Sequence, residues 1–219
     1  WLKLPESTRD NTTFVVPTGN FGNVFAGWLL TKMGVKISEF RVATNQNDVL
    51  HRLFATGEYS LGQVEPSLAP SMDIQVASNF ERLLFYFLDG DSEKVVEVMQ
   101  SFRATGKYSF DKFDLPGFSS VSASDDEIPE LIREIREKYD YLVDPHTACA
   151  FKELDTTKNA VVLGTAHPAK FPSVYEKAGM VVPVAPILEE LKTRKPKSYE
   201  ISVDPESIRS FIIEKLGRS

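Results

Sequence analysis

Apolar positions in the first third of the chain alternate between strand-length runs and helical stripes. Phe14-Val15-Val16 is a short apolar run ended by Pro17-Thr18-Gly19-Asn20, which predicts a strand entering a turn. From Val24 to Met33, Phe25, Trp28 and Leu29 share one stripe and Gly34 stops it, which predicts a helix. Phe40-Arg41-Val42-Ala43-Thr44 predicts a second strand. After Asn45-Gln46-Asn47-Asp48 comes a helix carrying Val49, Leu50, Leu53 and Phe54. Strand, helix and strand within about 30 residues form the βαβ unit of a parallel sheet.

Further on, Ser78-Asn79 opens a helix whose stripe is Phe80, Leu83, Leu84, Phe87 and Leu88, a core face. Glu93 to Arg103 also reads as helical. Thr105 to Ser124, rich in Gly, Ser, Asp and Phe, reads as a loop or irregular insertion. Ser124-Asp125-Asp126-Glu127 fits a capping box, and Ile128, Leu131, Ile132, Ile135 and Tyr139 continue at helical spacing, with Pro129 tolerated in the first turn. Ala160 to Leu163 predicts a strand, Gly164 to Pro168 a loop, and Ala169 to Ala178 a helix. Thr193 to Lys197 reads as a solvated basic turn, and Asp204-Pro205 as an N-cap with a first-turn proline. The fold class is α/β.

Composition narrows the function classes. The chain has 219 residues, 42% of them hydrophobic, which is enough for a real core. Its 25 basic and 31 acidic residues leave a net charge of −6, a poor match for nucleic acid or an anionic membrane. Cys149 is the only cysteine, which excludes an internal disulfide and fits a reducing, cytoplasmic setting. No apolar run reaches the ~18 residues of a membrane span. Trp1-Leu2-Lys3-Leu4-Pro5 carries neither an initiating Met nor signal-peptide anatomy, so the chain reads as a segment of something longer.

Four stretches carry candidate chemistry. In Pro17-Thr18-Gly19-Asn20-Phe21-Gly22-Asn23, two glycines allow close backbone approach, and a helix start supplies free N–H groups suited to a phosphate monoester. The stretch lacks both the Walker A and the dinucleotide fingerprints; a tight turn without ligand is the alternative. Thr165-Ala166-His167-Pro168-Ala169-Lys170-Phe171 also follows a strand. Ligands gather beyond the carboxyl ends of parallel strands, where its hydroxyl, imidazole and ammonium could donate; by itself, a capped turn with an exposed lysine is the favoured alternative. Asp144-Pro145-His146-Thr147-Ala148-Cys149 reads as a helix start capped by Thr147; His146 and Cys149 are two ligands at most, so no metal site is expected. Ser78, Asn79 and Arg82 form a possible anion clamp, or an ordinary cap with a surface charge.

Taken in order, "VPTGNFGN", "ATNQNDVL", "SMDIQVASNFERLLF", "DPHTACAF" and "GTAHPAKFPSVYEKAG" closely resemble the long-form threonine synthases, from about Phe14 to Gly179. The resemblance implies a mainly parallel twisted sheet with helices on both faces, the fold of the pyridoxal-phosphate (PLP) enzymes related to the tryptophan synthase β-subunit. It implies that residues 1–219 are the C-terminal, PLP-binding half of a longer enzyme, with an irregular or helical insertion at about 105–140. The implied reaction converts O-phospho-L-homoserine and water to L-threonine and phosphate. The cofactor phosphate would rest on Gly19, Asn20, Phe21, Gly22 and Asn23, and Thr165 would hydrogen-bond the pyridine nitrogen. Ser78, Asn79, Arg82 and Lys170 would lie toward the substrate.

The Schiff-base lysine of the family lies upstream of the glycine-asparagine loop, where this chain has only Lys3, without matching context. No catalytic residue is therefore expected in this segment. Its partner would be the missing N-terminal half, and the chain alone is expected to have little or no activity. A threonine-synthase-like phospholyase and a non-catalytic binding module remain the alternatives, with a NAD enzyme a distant third.

Overall fold

The computed structural model describes residues 1–217. One turn of helix, α1 (Glu6–Arg9), leads into the strand β1 (Thr12–Pro17), followed by α2 (Gly22–Lys32), β2 (Glu39–Thr44) and α3 (Val49–Thr56). This is the βαβ unit expected from the apolar pattern. Its strands run parallel, with Phe14 beside Phe40 and Val16 beside Val42. A short strand, β3 (Glu58–Ser60), precedes a long segment containing a 3-10 turn at Pro70–Met72. Next come α4 (Phe80–Phe87), α5 (Ser92–Thr105) and β4 (Lys107–Ser109), which pairs antiparallel with β3. The chain continues through β5 (Phe118–Ser122), α6 (Glu127–Tyr139), α7 (Pro145–Cys149) and β6 (Asn159–Val162). A second 3-10 turn at Pro168–Lys170 then leads to α8 (Pro172–Lys177).

Four strands form one parallel sheet in the order β5-β2-β1-β6. Alternation along its strands fills both faces, as a parallel sheet requires. Val16 and Val42 join α2, α3, α4 and α5 in one core with Val24, Leu53, Phe80 and Phe102. Val15, Ala43 and Val121 point the other way, against Ala150 at the end of α7. A further cluster joins α6, α7 and α8 through Ile128, Ile132, Cys149, Val174 and Tyr175.

Three expectations are corrected. The stretch 105–124 contains β4 and the edge strand β5, whose Val42–Ser120 and Ala43–Val121 pairings extend the parallel sheet. The expected helix from Ala169 to Ala178 is interrupted, because Pro172 has no N–H to continue a helical ladder and therefore begins α8 as its first residue. The cap of α7 is Asp144, whose carboxylate accepts from the N–H groups of His146 and Thr147. The Ser124 capping box forms by half: Glu127 accepts from the Ser124 N–H at 2.8 Å and from its hydroxyl at 3.0 Å.

The described chain divides into two compact units, Trp1–Pro183 and the remainder from Val184. The second holds α9 (Pro186–Thr193) and α10 (Pro205–Leu216). Asp204 caps α10 as its sequence predicts, accepting from the Ser207 N–H at 2.9 Å. Hydrogen bonds from Ser207 and Ser202 hold its carboxyl down at about 2.

Candidate functional site

The turn between β1 and α2 is held from below. Phe21 adopts the left-handed conformation (φ 66°), uncommon for a bulky side chain. Its ring is 1% exposed, edge-on to Phe80 at 5.8 Å and near-parallel to Phe54 and Phe118 at 6.5 Å. The buried ring fixes a backbone that turns outward, leaving Asn20, Gly22 and Asn23 exposed. Gly19 must be glycine here: a Cβ would sit 2.9 Å from the Ser71 carbonyl oxygen and 3.3 Å from the Met72 Cα.

Residues Pro17 to Asn23 line a hollow of 190 Å³. Among the described residues, none accepts a hydrogen bond from the backbone N–H of Gly19, Asn20, Phe21, Gly22 or Asn23. No side chain caps α2, and its first turn carries no acid. By contrast, aspartates cap α5, α7 and α10. An uncapped helix start with several free donors and the positive end of a helix dipole favours an anion.

The start of α4 folds onto this turn. Asn79 donates to the Asn20 carbonyl through both its backbone N–H and its Nδ2, each at 3.0 Å, and Ser78 Oγ donates to Asn20 Oδ1 at 3.2 Å. Arg82 in turn donates to Asn79 Oδ1. Ser78 and Asn79 thus meet the loop as a bracket, with Arg82 behind Asn79. Asn20 accepts from Ser78 and Asn79 through its side-chain and backbone oxygens, and the loop N–H groups stay open.

A polar clamp holds the preceding segment over the carboxyl ends of the strands. Asn45 Nδ2 donates to Ser67 Oγ and to Asp73 Oδ1, both at 2.7 Å. Asn47 Nδ2 reaches the Glu65 carbonyl at 2.8 Å and Asp73 Oδ1 at 3.0 Å. Both amides are buried, and pairing them in this way satisfies donors that would otherwise be costly to bury.

Thr165 lies on the loop after β6, the strand adjacent and parallel to β1, so both loops leave the same carboxyl end of the sheet. Its hydroxyl-bearing residue is exposed, and its N–H donates to Thr147 Oγ1 at 3.2 Å. Lys170 is exposed at the end of its 3-10 turn, and its ammonium has no partner among the described residues.

Sequence reasoning singled out Asp144 to Cys149 but missed the buried network its side chains form beside Thr165. Asp144 Oδ1 accepts from His146 Nδ1 at 2.9 Å, and its other oxygen accepts from the Thr147 hydroxyl. His146 Nε2 accepts the Ser71 N–H at 3.1 Å, which places the ring proton on Nδ1, toward Asp144. Burial alone would raise the Asp144 carboxyl, but the hydrogen bonds from His146 and Thr147 outweigh it and hold it below its usual range. Asp144-Pro145 carries the same cap-and-proline signal that identifies Asp204-Pro205. Cys149 donates to the Pro145 carbonyl, and burial pushes its thiol up to about 12, a packed rather than a reactive cysteine. Among the described residues, no cluster of three His, Cys, Asp or Glu side chains is placed to hold a metal, and no helix is long and apolar enough to cross a membrane.

The chain is similar to known proteins over nearly all its length. Residues 146–212 match the family model "Threonine synthase, C-terminal". Threonine synthase of Pseudomonas aeruginosa is 38% identical over 95% of this chain and 47% of its own length. That of Saccharomyces cerevisiae is 36% identical over 94% of this chain and 47% of its own. A solved PLP-bound threonine synthase from Brucella melitensis superposes with a TM-score of 0.80 at 35% identity, covering 97% of this chain and 47% of that one. The chain thus spans about half the length of the relatives it matches. By sequence and by fold, it belongs to the threonine synthase family.

Proposed function

We propose that this chain forms the cofactor-phosphate half of a PLP-dependent threonine synthase, which converts O-phospho-L-homoserine and water to L-threonine and phosphate in the cytoplasm. The observation that carries the reading is the open row of N–H groups from Gly19 to Asn23 at an uncapped helix start. These donors fit a phosphate monoester dianion and need no cation to do so. The Thr165 hydroxyl is the neutral group for the pyridine nitrogen, since a hydroxyl can donate or accept there without favouring the protonated ring as an anionic carboxylate partner would. Ser78, Asn79, Arg82 and Lys170 serve the substrate side; Arg82 and Lys170 supply positive charge for a phosphorylated amino acid.

When bound, PLP supplies an electron sink for proton loss from the substrate's carbon framework. This chain's residues hold and orient the reactants. The Asn20–Asn79 bracket fixes the anion loop, and buried Phe21 prevents it from collapsing into its own hollow. The cofactor-anchoring lysine belongs to a part of the enzyme outside these 219 residues, so the chain by itself is expected to turn over little or no substrate.

The test is to express the full-length polypeptide and measure phosphate and threonine released from O-phospho-L-homoserine in the presence of PLP. Equal amounts of both support the reading. Phosphate without threonine moves the protein to the phospholyases, and neither product overturns the assignment.

A further inference from the structure

We propose that Asp144, His146 and Thr147 are positioning residues that hold two walls of the site, the Thr165 loop and the Pro70–Met72 turn, in fixed relation to the Gly19 loop. The inference rests on the PLP reading for what the site holds, but its geometry is independent of it. One buried carboxylate orients both side chains: His146 through Nδ1 at 2.9 Å and Thr147 through its hydroxyl. Each oriented side chain then has one acceptor left, and each spends it on a different loop. His146 Nε2 takes the Ser71 N–H at 3.1 Å, and Thr147 Oγ1 takes the Thr165 N–H at 3.2 Å.

Both loops matter to the site. The Ser71 carbonyl and Met72 Cα form the surface that Gly19 touches, at the distances where a Cβ would clash. Thr165 carries the hydroxyl proposed for the pyridine nitrogen. Asp144, His146 and Thr147 are at most 4% exposed, so none of them reaches a ligand directly; they act through the loops. The donor and acceptor directions are also forced. Asp144 can only accept, so Thr147 must donate to it and use its lone pair for Thr165, and His146 must place its proton toward Asp144. Losing the carboxylate therefore frees both loops together, whereas losing Thr147 frees one.

The test compares full-length wild type with Thr147→Val, Thr147→Ser and Asp144→Asn, following PLP titration, the absorption maximum of bound PLP, and amide hydrogen exchange. Thr147→Val should weaken PLP binding about tenfold and shift the absorption maximum, and it should speed exchange in 164–166 while leaving 70–73 unchanged; Thr147→Ser should restore all of these. Asp144→Asn should speed exchange in both segments. Unchanged PLP affinity and spectrum in Thr147→Val, with only a lower Tm, would reduce the cluster to a structural role and overturn the inference. If wild type itself binds no PLP, the cofactor reading fails separately, and hydrogen exchange still decides the coupling. Exchange that rises in neither segment, or equally throughout the chain, overturns it. Should Asp144→Asn fail to fold, the Thr147→Val and Thr147→Ser pair decides alone.

Discussion

Replacing Phe21 separates two opposing contributions at one residue. Its ring is buried among three other phenylalanines, and truncation of such a ring to alanine costs about 3–5 kcal/mol. Its backbone sits at φ 66°, a conformation that costs an L-residue roughly 1–2 kcal/mol and glycine almost nothing. Alanine loses the ring and keeps the backbone cost. Glycine loses the ring and sheds that cost, but surrenders about 0.5–1 kcal/mol of extra chain entropy. Glycine should therefore be the milder substitution, by about 0.5–1 kcal/mol, the reverse of the usual order in a folded segment. In urea titrations of the full-length polypeptide, with a slope of about 2 kcal/mol per molar, that gap separates the midpoints by about 0.25–0.5 M. The expected order is Phe21→Ala below Phe21→Gly below wild type. A Phe21→Gly midpoint at or below that of Phe21→Ala, with unchanged slopes, would refute the claim that the buried ring holds a strained turn.

Gly19→Ala places a methyl group against backbone atoms that cannot rotate away, at 2.9 Å from the Ser71 carbonyl. It should cost about 1–3 kcal/mol and weaken PLP binding at least tenfold, measured by denaturation and by cofactor titration. Acid stability should carry the signature of Asp144. Because its folded carboxyl lies below the ordinary value of about 3.9, the stability it contributes is fully present above that value and is lost as pH falls through the folded one. Asp144→Asn should cost about 1.5–3 kcal/mol at pH 7 and progressively less below pH ~4. A gap that stays constant with pH would show that Asp144 contributes nothing through its charge.

The βαβ start was legible because β1 and β2 are buried on both faces and read as apolar runs between clear stop signals. β5 was not. Only Phe118 and Val121 among its five residues are apolar, and its serines are spent on side-chain and backbone partners: Ser119 on Glu39, Ser120 on His51, Ser122 on the Asn45 carbonyl. A strand at the sheet edge can afford such polarity, and polarity is what a loop looks like in sequence. The Gly19–Asn23 turn was visible because glycine spacing and a helix start are local. The bracket from Ser78 and Asn79 to Asn20 was visible only as two separate candidates, since nothing local specifies which loop a helix start will meet. The cap itself was legible in Asp144-Pro145; what the sequence hid was where the oriented side chains reach, since nothing local specifies that His146 meets the Ser71 N–H or that Thr147 meets the Thr165 N–H.

Strand β1 lies inside the sheet, yet one of its two partners is β6, with Thr12 set against Asn159. A ribosome adding about 5–20 residues per second reaches β6 roughly 150 residues after β1, about 7–30 s later. Throughout that interval Phe14, Val15 and Val16 offer an unpaired edge to any neighbouring strand. The nascent polypeptide thus carries β1, the strand that leads into the Gly19 turn, open on one side until β6 has emerged.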